Sequence, residues 1–330
     1  MNGNGKTSVV VCAYTKNRWN DALEAIVSLI NSDIPPLEII LVIDHNTELY
    51  NRFRLHFDTI DIVKVIENQD VQGLSGARNS GIMASKGEYI GFLDDDAIAD
   101  PVWLSRMTTW CEEDESILGV GSKVDPIWVD GDVSWFPSEF NWTVGCTYNG
   151  MPETPSAIRN PFGCSMVIRK SIFNLVGGFR TGTGRVGEVP LGCEETELSI
   201  RAQQRCPSMT FIFDPYARIG HKVPGKRLTW SYFLSRCYHE GISKALLARL
   251  VGAQDSLSAE KGYTLRVLPK GVLKGIVDFL FRFDFNGLAR AVAIVAGLFT
   301  TGFGYLVGLT KTTRSSAQQQ AVISDITTSR

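Results

Sequence analysis

The sequence predicts an α/β fold in which a mostly parallel β-sheet is flanked by helices, followed by a helical, membrane-associated C-terminal segment. Two observations predict it. Over the first 125 residues, short apolar runs alternate with longer stretches of helical period, the pattern of repeated βα units on a parallel sheet. Beyond residue 262, basic side chains lie among apolar ones at helical spacing, and an uncharged apolar stretch follows at residues 291–309.

The predicted strands of the first half are short apolar runs, and the predicted helices lie between them. The strands cover residues 8–13, 37–43, 62–66, 88–93 and 118–124. The helices cover residues 19–30, 49–57, 74–84 and 102–113. The first helix is amphipathic, and the side chains on its apolar face are Trp19, Ala22, Leu23, Ile26, Leu29 and Ile30.

Residues 126–161 lose this periodicity and are rich in aromatic side chains. These are Trp128, Trp135, Phe136, Phe140, Trp142 and Tyr148. Two interpretations stay open: the rings line a binding site, or they form ordinary core packing beneath a long loop. Order returns with a predicted strand at 162–168, a glycine-rich stretch at 177–192, a helix at 194–205 and a strand at 209–213.

The domain organisation predicted from these patterns is one globular domain at residues 1–262, with halves at about 1–125 and 126–262. Residues 263–310 follow as amphipathic and hydrophobic helices, and residues 311–330 as a polar, disordered tail. Residues 291–309 could reach about 28 Å as a helix, close to the hydrocarbon thickness of a bilayer. The alternative is a buried core helix. Whether the segment spans the bilayer or lies on it stays open.

Charge and cysteine usage indicate which partners and which cellular compartment to expect. Lys and Arg total 33 against 35 Asp and Glu, so no strong positive field favours nucleic acid. The seven cysteines are scattered and never form C-x-x-C, which favours reduced thiols in the cytosol. The first seven residues lack the pattern of an export signal. We therefore expect the protein at the cytoplasmic face of the membrane, held there by its C-terminal apolar segment.

Three carboxylates, Asp94, Asp95 and Asp96, directly follow the predicted strand at 88–93. Open α/β sheets bind ligands at the carboxyl ends of their strands. Carboxylates this close repel one another, and a hard divalent cation such as Mg²⁺ or Mn²⁺ removes the repulsion. The alternative is a solvated acidic turn that caps the next helix.

Two loops and one further acid follow strands at the same predicted edge of the sheet. Asp44 could accept hydrogen bonds from a base or a ribose, while the loops offer backbone amides, an aromatic face and cations to a nucleotide diphosphate. The candidate nucleotide-binding residues in these segments are Ala13, Tyr14, Arg18, Asp44, Gly73 and Arg78. For Arg78, simple pairing with a surface acid is the alternative.

In order and spacing, these motifs resemble glycosyltransferase family 2 with its GT-A nucleotide-sugar-binding fold. The matching motifs extend over about residues 8–222 and are Val9-Val10-Val11-Cys12-Ala13-Tyr14, Val42-Ile43-Asp44, Gly76-Ala77-Arg78-Asn79, Phe92-Leu93-Asp94-Asp95-Asp96, Gly177-Gly178-Phe179, Glu194-Glu195-Thr196-Glu197-Leu198 and His221. Within the family, the chain resembles enzymes that extend dolichyl- or polyprenyl-phosphate-linked sugars, among them glucuronosyltransferases acting on glucosyl-dolichyl phosphate. That likeness lies in Asp125-Pro126-Ile127-Trp128, Trp135-Phe136-Pro137-Ser138-Glu139-Phe140-Asn141-Trp142 and Gly145-Cys146-Thr147.

The resemblance implies a donor half, an acceptor half and a Mn²⁺ or Mg²⁺ ion. By likeness, Asp44 recognises the uracil of a UDP-sugar, Asp94 faces the ribose or sugar, and Asp96 is the direct metal ligand. His221 resembles a further metal ligand, with the capping of a core turn as the alternative. Asp95 belongs to the same donor site. The side chains expected around the donor sugar are Asn160, Phe162, Gly163 and Arg185.

The resemblance also implies a general base in Glu194-Glu195, where the family carries Glu-Asp. Glu195 matches the base position, but the choice between the two stays open, and favourable placement at a helix start is the alternative role. The expected reaction is inverting transfer from a nucleotide sugar to a lipid-linked or glycan acceptor in polysaccharide or glycoconjugate synthesis. Competing functions are a sugar-phosphate nucleotidyltransferase, disfavoured because residues 14–18 lack glycine, and a non-catalytic nucleotide-sugar-binding module.

Overall fold

A computed structural model describes residues 5–181, 192–258 and 260–328, with side chains as far as residue 310. The strands are β1 Thr7–Ala13, β2 Glu38–Ile43, β3 Val63–Glu67, β4 Tyr89–Asp94, β5 Ala97–Ala99, β6 Ile117–Trp128, β7 Ser156–Ile158, β8 Ser165–Arg169 and β9 Thr210–Val223. The helices are α1 Trp19–Ile30, α2 Thr47–His56, α3 Leu74–Ala84, α4 Trp103–Glu113, α5 Lys170–Val176, α6 Glu194–Arg205, α7 Trp230–Val251, α8 Ala253–Ser256, α9 Glu260–Gly262, α10 Leu268–Arg282 and α11 Phe285–Thr328. Arg185 lies outside this description. The backbone of residues 311–328 continues α11 where the sequence predicts a disordered tail, and the side chains of these residues are not described.

The strands form one curled, mixed sheet in the order β3-β2-β1-β4-β8-β6-β9-β5, with β7 paired to β9. The pairs among β3, β2, β1 and β4 are parallel, as the sequence predicts. Strand β8 lies antiparallel between β4 and β6, while β6 and β9 pair in parallel. The predicted parallel arrangement therefore holds in the first half, and the second half is mixed.

Helices cover both faces of the sheet, and β1 shows how its side chains are divided. Val9 and Val11 pack into a core shared with α1, α2 and α4. Val10, whose side chain points the other way, packs with side chains of α3, α5 and α6. Because both faces are covered, the central strands are continuous apolar runs, which is why the sequence reveals them clearly.

Strand β9 is much longer than the predicted 209–213, because it continues through Asp214-Pro215. Asp214 is fully buried, and its Oδ2 accepts hydrogen bonds from Arg106 Nε (3.1 Å) and Trp110 Nε1 (3.1 Å). These tertiary partners satisfy the buried carboxylate, so the strand continues past it. The extension brings the later part of β9 alongside β5, where His221 pairs with Ala97.

The C-terminal helices share the core of the domain. Leu268 of α10 and Ala293 and Ile294 of α11 are buried in the same cluster as Phe140 and Phe233. The boundary predicted at residue 262 therefore crosses a continuous core. Within the described residues, one helical stretch is long and apolar enough to cross a membrane, Phe285–Thr310, and 28% of its apolar window is buried against the protein.

Candidate active site

Asp94, Asp96 and His221 meet at the end of β4 because β5 pairs with β9. Asp94 is the last residue of β4. Ala97 pairs with His221, and the amide of Lys222 donates to the carbonyl of Asp96 at 2.9 Å. This register leaves His221 Nε2 3.2 Å from Asp96 Oδ1. The sequence-predicted metal ligands therefore lie together.

Two arginines, half-buried Arg18 and buried Arg227, lie against the acids that follow Asp94. Arg18 contacts Asp95 Oδ1 at 2.6 Å and Asp96 Oδ2 at 3.0 Å, while Arg227 lies 3.7 Å from Asp96 Oδ2. Burial raises the pKa of Asp95 to about 7, against the opposing charge of Arg18. At Asp96, burial is outweighed by His221 and Arg18, so its pKa lies below its usual range. At His221, burial lowers the pKa of the imidazole, but the negative charge of Asp96 has the larger effect and raises that pKa to about 10.

The donor set of this cluster fits a hard divalent cation. Asp94, Asp96 and His221 each offer one ligand atom, and the three atoms lie within 4.8 Å of one another. Asp96 Oδ1 is buried and accepts no hydrogen bond from the described residues, although His221 lies near enough for a charge contact. Two carboxylates and an imidazole are ligands that Mn²⁺ accepts, and an orphaned buried oxygen is costly unless a cation or donor satisfies it.

Arg78 joins this cluster to the start of α6. Its side chain is buried; Nη2 donates to the Gly163 carbonyl at 2.8 Å and to Asp94 Oδ1 at 3.3 Å, while Nη1 donates to Glu194 Oε1 at 3.1 Å. A Cβ on Gly163 would lie 3.1 Å from both guanidinium nitrogens, so glycine makes room for this contact. The alternative of a surface ion pair for Arg78 is wrong.

Glu194 and Glu195 are adjacent but differ in environment. Glu194 is buried and held by Arg78, and its Oε2 has no hydrogen-bond partner among the described residues. Glu195 is half-buried, faces the neighbouring cavity and accepts a hydrogen bond from Thr196 Oγ1 at 3.0 Å. Burial, and then the negative charge of Glu194, raise the pKa of Glu195 to about 7. A carboxyl group that ionises near neutrality is suited to proton transfer.

The predicted nucleotide-binding residues lie at the same edge of the sheet, outside β1 and β2. The amide of Asp44 donates to the Ala13 carbonyl at 2.8 Å, and Asp44 Oδ2 accepts from the Gly73 amide at 3.0 Å. Gly73 has φ 123°, which favours glycine there. Tyr14 is exposed, and its carbonyl accepts a hydrogen bond from Asn46. The two loops and Asp44 thus form one connected surface.

A cavity of about 900 Å³ joins the Asp94–Asp96–His221 cluster to the start of α6. The sequence-predicted residues in its wall are Arg18, Arg78, Asp94, Asp96, Phe162, Gly163, Glu194, Glu195 and His221. Those outside its wall are Ala13, Tyr14, Asp44, Gly73 and Asp95. Both interpretations of the aromatic segment hold for different side chains, because Phe136 is buried in the core whereas Trp142 and Tyr148 line the cavity.

The sequence analysis missed several charged residues of this cavity. Arg227 is one, and the basic pair Lys226-Arg227 directly after the strand of His221 is the signal that could have revealed it. Arg236, Glu240 and Lys244 are others; they follow one another at i, i+4 spacing on α7, with salt bridges at 3.8 and 3.3 Å. That ladder predicts a helix, but nothing in it indicates a cavity.

Comparison with known proteins identifies relatives over most of the chain. The sequence matches Glycosyl transferase family 2 over residues 8–177. Glucosyl-dolichyl phosphate glucuronosyltransferase of Haloferax volcanii is 30% identical over 305 residues, which are 92% of this chain and 96% of that protein. An uncharacterized glycosyltransferase of Haemophilus influenzae is 33% identical over 171 residues, 50% of this chain and 52% of that protein.

Two solved structures share the fold. Mannosyltransferase PcManGT from Pyrobaculum calidifontis, in complex with GDP-Man and Mn²⁺, superposes with a TM-score of 0.57 and 15% identity over 90% of this chain and 87% of its own. GalNAc-T7 with UDP, GalNAc and Mn²⁺ gives a TM-score of 0.52 and 17% identity over 78% of this chain and 55% of its own. At these identities the likeness establishes the fold alone, which is GT-A.

The family match spans more than half of the chain, and the Haloferax volcanii relative aligns over nearly all of it. The nucleotidyltransferase and the non-catalytic binding module are therefore set aside. The chain belongs to glycosyl transferase family 2, and it is a hexosyltransferase.

Proposed function

We propose that this enzyme transfers a sugar from a UDP-sugar, with inversion, to a lipid-linked sugar or glycan acceptor in polysaccharide or glycoconjugate synthesis at the cytoplasmic face of a membrane. One observation carries the proposal. A single cavity contains the Asp94–Asp96–His221 cluster, Glu195 and side chains of the apolar helix α11. The candidate metal ligands, the candidate general base and an apolar wall therefore line the same cavity.

The donor nucleotide lies across the edge of the sheet in this proposal. Asp44 accepts hydrogen bonds from uracil, and Tyr14 packs beside the base. Asp44 already binds the Gly73 amide, so it also fixes the loop that begins α3. Arg18 and Arg78 are the cavity cations nearest the aspartates, and guanidinium groups bind phosphate oxygens well. Phe162 and Gly163 border the donor sugar.

Asp94, Asp96 and His221 would hold Mn²⁺ or Mg²⁺, and both solved neighbours contain Mn²⁺. Such an ion supplies positive charge that stabilises the leaving diphosphate. His221 must be neutral to act as a ligand, so cation binding competes with the proton that Asp96 stabilises on the imidazole. Asp95 stays paired with Arg18 and positions that guanidinium.

Glu195 is the general base in this proposal. Its raised pKa, about 7, lets it accept a proton from an acceptor hydroxyl near neutral pH. Glu194, held by Arg78, fixes the start of α6 and keeps a negative charge beside the base. Because attack is a single displacement at the face opposite the diphosphate, an α-linked donor gives a β-linked product.

The lipid-linked acceptor is supported by the far wall of the cavity. Leu298, Thr301 and Tyr305 of α11 lie in that wall, and Trp142 and Tyr148 add aromatic faces that suit sugar rings. The Haloferax volcanii relative is named for action on glucosyl-dolichyl phosphate, a sugar on a lipid phosphate. An apolar helix beside the reaction centre suits an acceptor of that class.

The proposal is tested by donor hydrolysis and by transfer. Purified protein is incubated with a panel of nucleotide sugars, with Mn²⁺, with Mg²⁺ or with chelator, and nucleotide release is measured with and without a polyprenyl-phosphate-linked hexose. Asp96→Ala is the inactive control, and Glu115→Gln, a change at an exposed carboxylate, is the matched control.

We expect metal-dependent release of UDP from one donor, faster with acceptor, with a β-linkage in the product by NMR. Asp96→Ala abolishes release, and Glu115→Gln leaves it unchanged. Retention of the donor configuration, preference for a GDP-sugar, or full activity with chelator would each contradict a named part of the proposal.

A further inference from the structure

The apolar stretch of α11 has one bare face. Its exposed apolar side chains recur every three or four residues, so they form one line along the helix, here called the α11 stripe. The stripe consists of Leu288, Val292, Val295, Phe299, Phe303, Leu306 and Leu309. Phe299 is 73% and Phe303 62% exposed, and exposing such large apolar side chains to water is unfavourable.

Helix α10, which packs against α11 at Gly275, has exposed apolar side chains of its own and positive charge beside them. Leu273, Leu280 and Phe281 are exposed on α10, and Phe283 and Phe285 are exposed at the turn into α11. The exposed cations of α10 are Lys270, Lys274 and Arg282. Apolar side chains beside Lys and Arg are typical of helices that lie in the headgroup layer of an anionic membrane.

The opposite face of α11 is fixed to the catalytic domain through glycine contacts. A Cβ on Gly304 would lie 2.1 Å from the Tyr238 carbonyl of α7, and one on Gly308 would lie 2.6 Å from Ala245. A Cβ on Gly297 would lie 2.6 Å from Phe140 in the domain core. Only glycine, which has no Cβ, allows the backbone of α11 to come this close to its neighbours. Helix α11 therefore packs along the domain from Gly297 to Gly308.

Spanning a bilayer would carry α7 into the hydrocarbon with α11. Along the region that α11 contacts, α7 bears Arg236, Glu240 and Lys244, which line the cavity, and half-buried His239. Charged side chains at the bilayer centre are strongly unfavourable, and the cavity they line contains the reaction centre. One face of α11 suits lipid, and the other belongs to a water-accessible enzyme.

We infer that Phe285–Thr310 does not cross the membrane: the α11 stripe and the bare face of α10 lie in the plane of one leaflet of an anionic bilayer, with both ends of the apolar stretch on the same side. The inference rests on the membrane association proposed above and not on the chemistry. Leu298, Thr301 and Tyr305 then stand between the leaflet and the cavity, and a lipid-linked acceptor reaches Glu195 without leaving its leaflet.

Cysteine labelling tests the topology. Asn286→Cys lies before the stripe and Ser316→Cys lies in the polar sequence after it. Each variant is expressed, and inverted membrane vesicles with their cytoplasmic face outward are treated with a membrane-impermeant maleimide, with wild type as the labelling blank. In-plane binding predicts labelling of the two cysteines within twofold of each other. Protection of Ser316→Cys until detergent is added would overturn the inference.

Vesicle flotation tests the bare face itself. Purified protein is mixed with phosphatidylcholine vesicles containing about a third phosphatidylglycerol. Phe299→Ser/Phe303→Ser is expected to reduce the bound fraction at least tenfold, whereas Leu55→Ser/Met83→Ser, which changes equally exposed apolar side chains elsewhere, leaves it unchanged. Unchanged flotation of the stripe variant, or an equal loss in the control, would overturn the inference.

Donor hydrolysis in solution separates this inference from the proposed function. Phe299 and Phe303 lie outside the cavity wall, so the stripe variant keeps its metal-dependent release of nucleotide. If the stripe variant loses flotation but retains hydrolysis, the stripe serves membrane binding and not the chemistry, as inferred. Normal flotation with no hydrolysis by wild type contradicts the proposed function alone.

Discussion

Replacing Glu195 by Gln tests the assignment of the general base, because the two adjacent carboxylates of α6 have different surroundings. Glu195 faces the cavity and has a pKa of about 7, raised first by burial and then by the charge of Glu194. Glu194 is buried and accepts from Arg78 at 3.1 Å. Both carboxylates line the cavity, and Glu195 is the more exposed of the two and is not paired with Arg78, so the proposal assigns proton transfer to Glu195.

The size of the effect follows from that pKa. A base must be ionised, so roughly a tenth of Glu195 is active at pH 6 and about a hundredth at pH 5. We expect the transfer rate of the wild type to rise about tenfold per pH unit up to about pH 7 and then level off. Glu195→Gln should lower the rate about 10²- to 10⁴-fold and flatten this profile.

Glu194→Gln is expected to behave differently. It removes the negative charge that contributes to the raised pKa of Glu195, so the acid limb of the rate profile shifts to lower pH. It also weakens one contact of Arg78, which retains Asp94 and the Gly163 carbonyl. The rate above pH 7 should therefore fall less than in Glu195→Gln.

The assay is transfer to a lipid-linked hexose at saturating donor, measured from pH 5 to 8.5, with Glu115→Gln as the surface control. Thermal unfolding checks folding. The raised pKa of Glu195 contributes stability below its unfolded value, and this is lost as pH rises through about 7. Glu195→Gln should therefore melt no lower than wild type at pH 8. A variant that keeps more than a tenth of the rate at pH 8 would refute the assignment.

Four further outcomes follow from the site and from the helix contacts. Asp96→Asn should weaken Mn²⁺ binding and lower the transfer rate at least about 10²-fold, by titration calorimetry and product assay, because it removes a ligand charge beside His221. Asp44→Ala should weaken UDP binding about tenfold or more with Mn²⁺ affinity unchanged, and equal affinity for UDP would exclude the uracil contact. Gly304→Ala should destabilise the protein by about 1–3 kcal/mol in urea unfolding, because its Cβ meets a carbonyl. Gly302→Ala, with open space there, should be neutral or stabilising by about 0.5–1 kcal/mol.

The first half of the fold could be predicted closely from the sequence because its signals are local. Helices α1 and α3 have the predicted bounds, as does α6 in the second half. Each combines a clear helical period with a recognisable start. Strands β1, β2 and β4 are buried on both faces, so their apolar runs stand out, and the bounds of β1 to β4 differ from the prediction by at most one residue at each end.

The second half was less predictable because its pairing is non-local. A short apolar run such as Ser165–Arg169 predicts a strand but not its direction. The direction of β8 is known only from its antiparallel pairing with β4 and β6. Strand β5 has three residues, too few for a periodic signal, yet its pairing brings His221 to Asp96. The sequence could suggest His221 only through a family resemblance, since its distance from Asp96 depends on that pairing.

Arg18 shows a different limit of the sequence. Its position after β1 predicts a phosphate-binding cation, but in this structure it is paired with Asp95 and Asp96. The repulsion among the three aspartates, which predicts a bound cation, is partly removed by Arg18 and Arg227. Charge density along the sequence indicates that positive charge is needed, and it does not indicate which group supplies it.

The C-terminal helices act as part of the enzyme and not as an appended anchor. The Tyr263 hydroxyl donates to the Glu139 carbonyl at 2.6 Å and accepts from Trp142 Nε1 at 3.2 Å, which ties the segment before α10 to the aromatic residues of the cavity. Leu268 and Ile294 complete the core beneath them. Removal of everything after Gly262 would therefore expose core surface and open the cavity wall. In the proposed function, membrane binding and the shape of the acceptor site depend on the same helices, so a soluble form of this enzyme is better sought by changing the stripe side chains than by truncation.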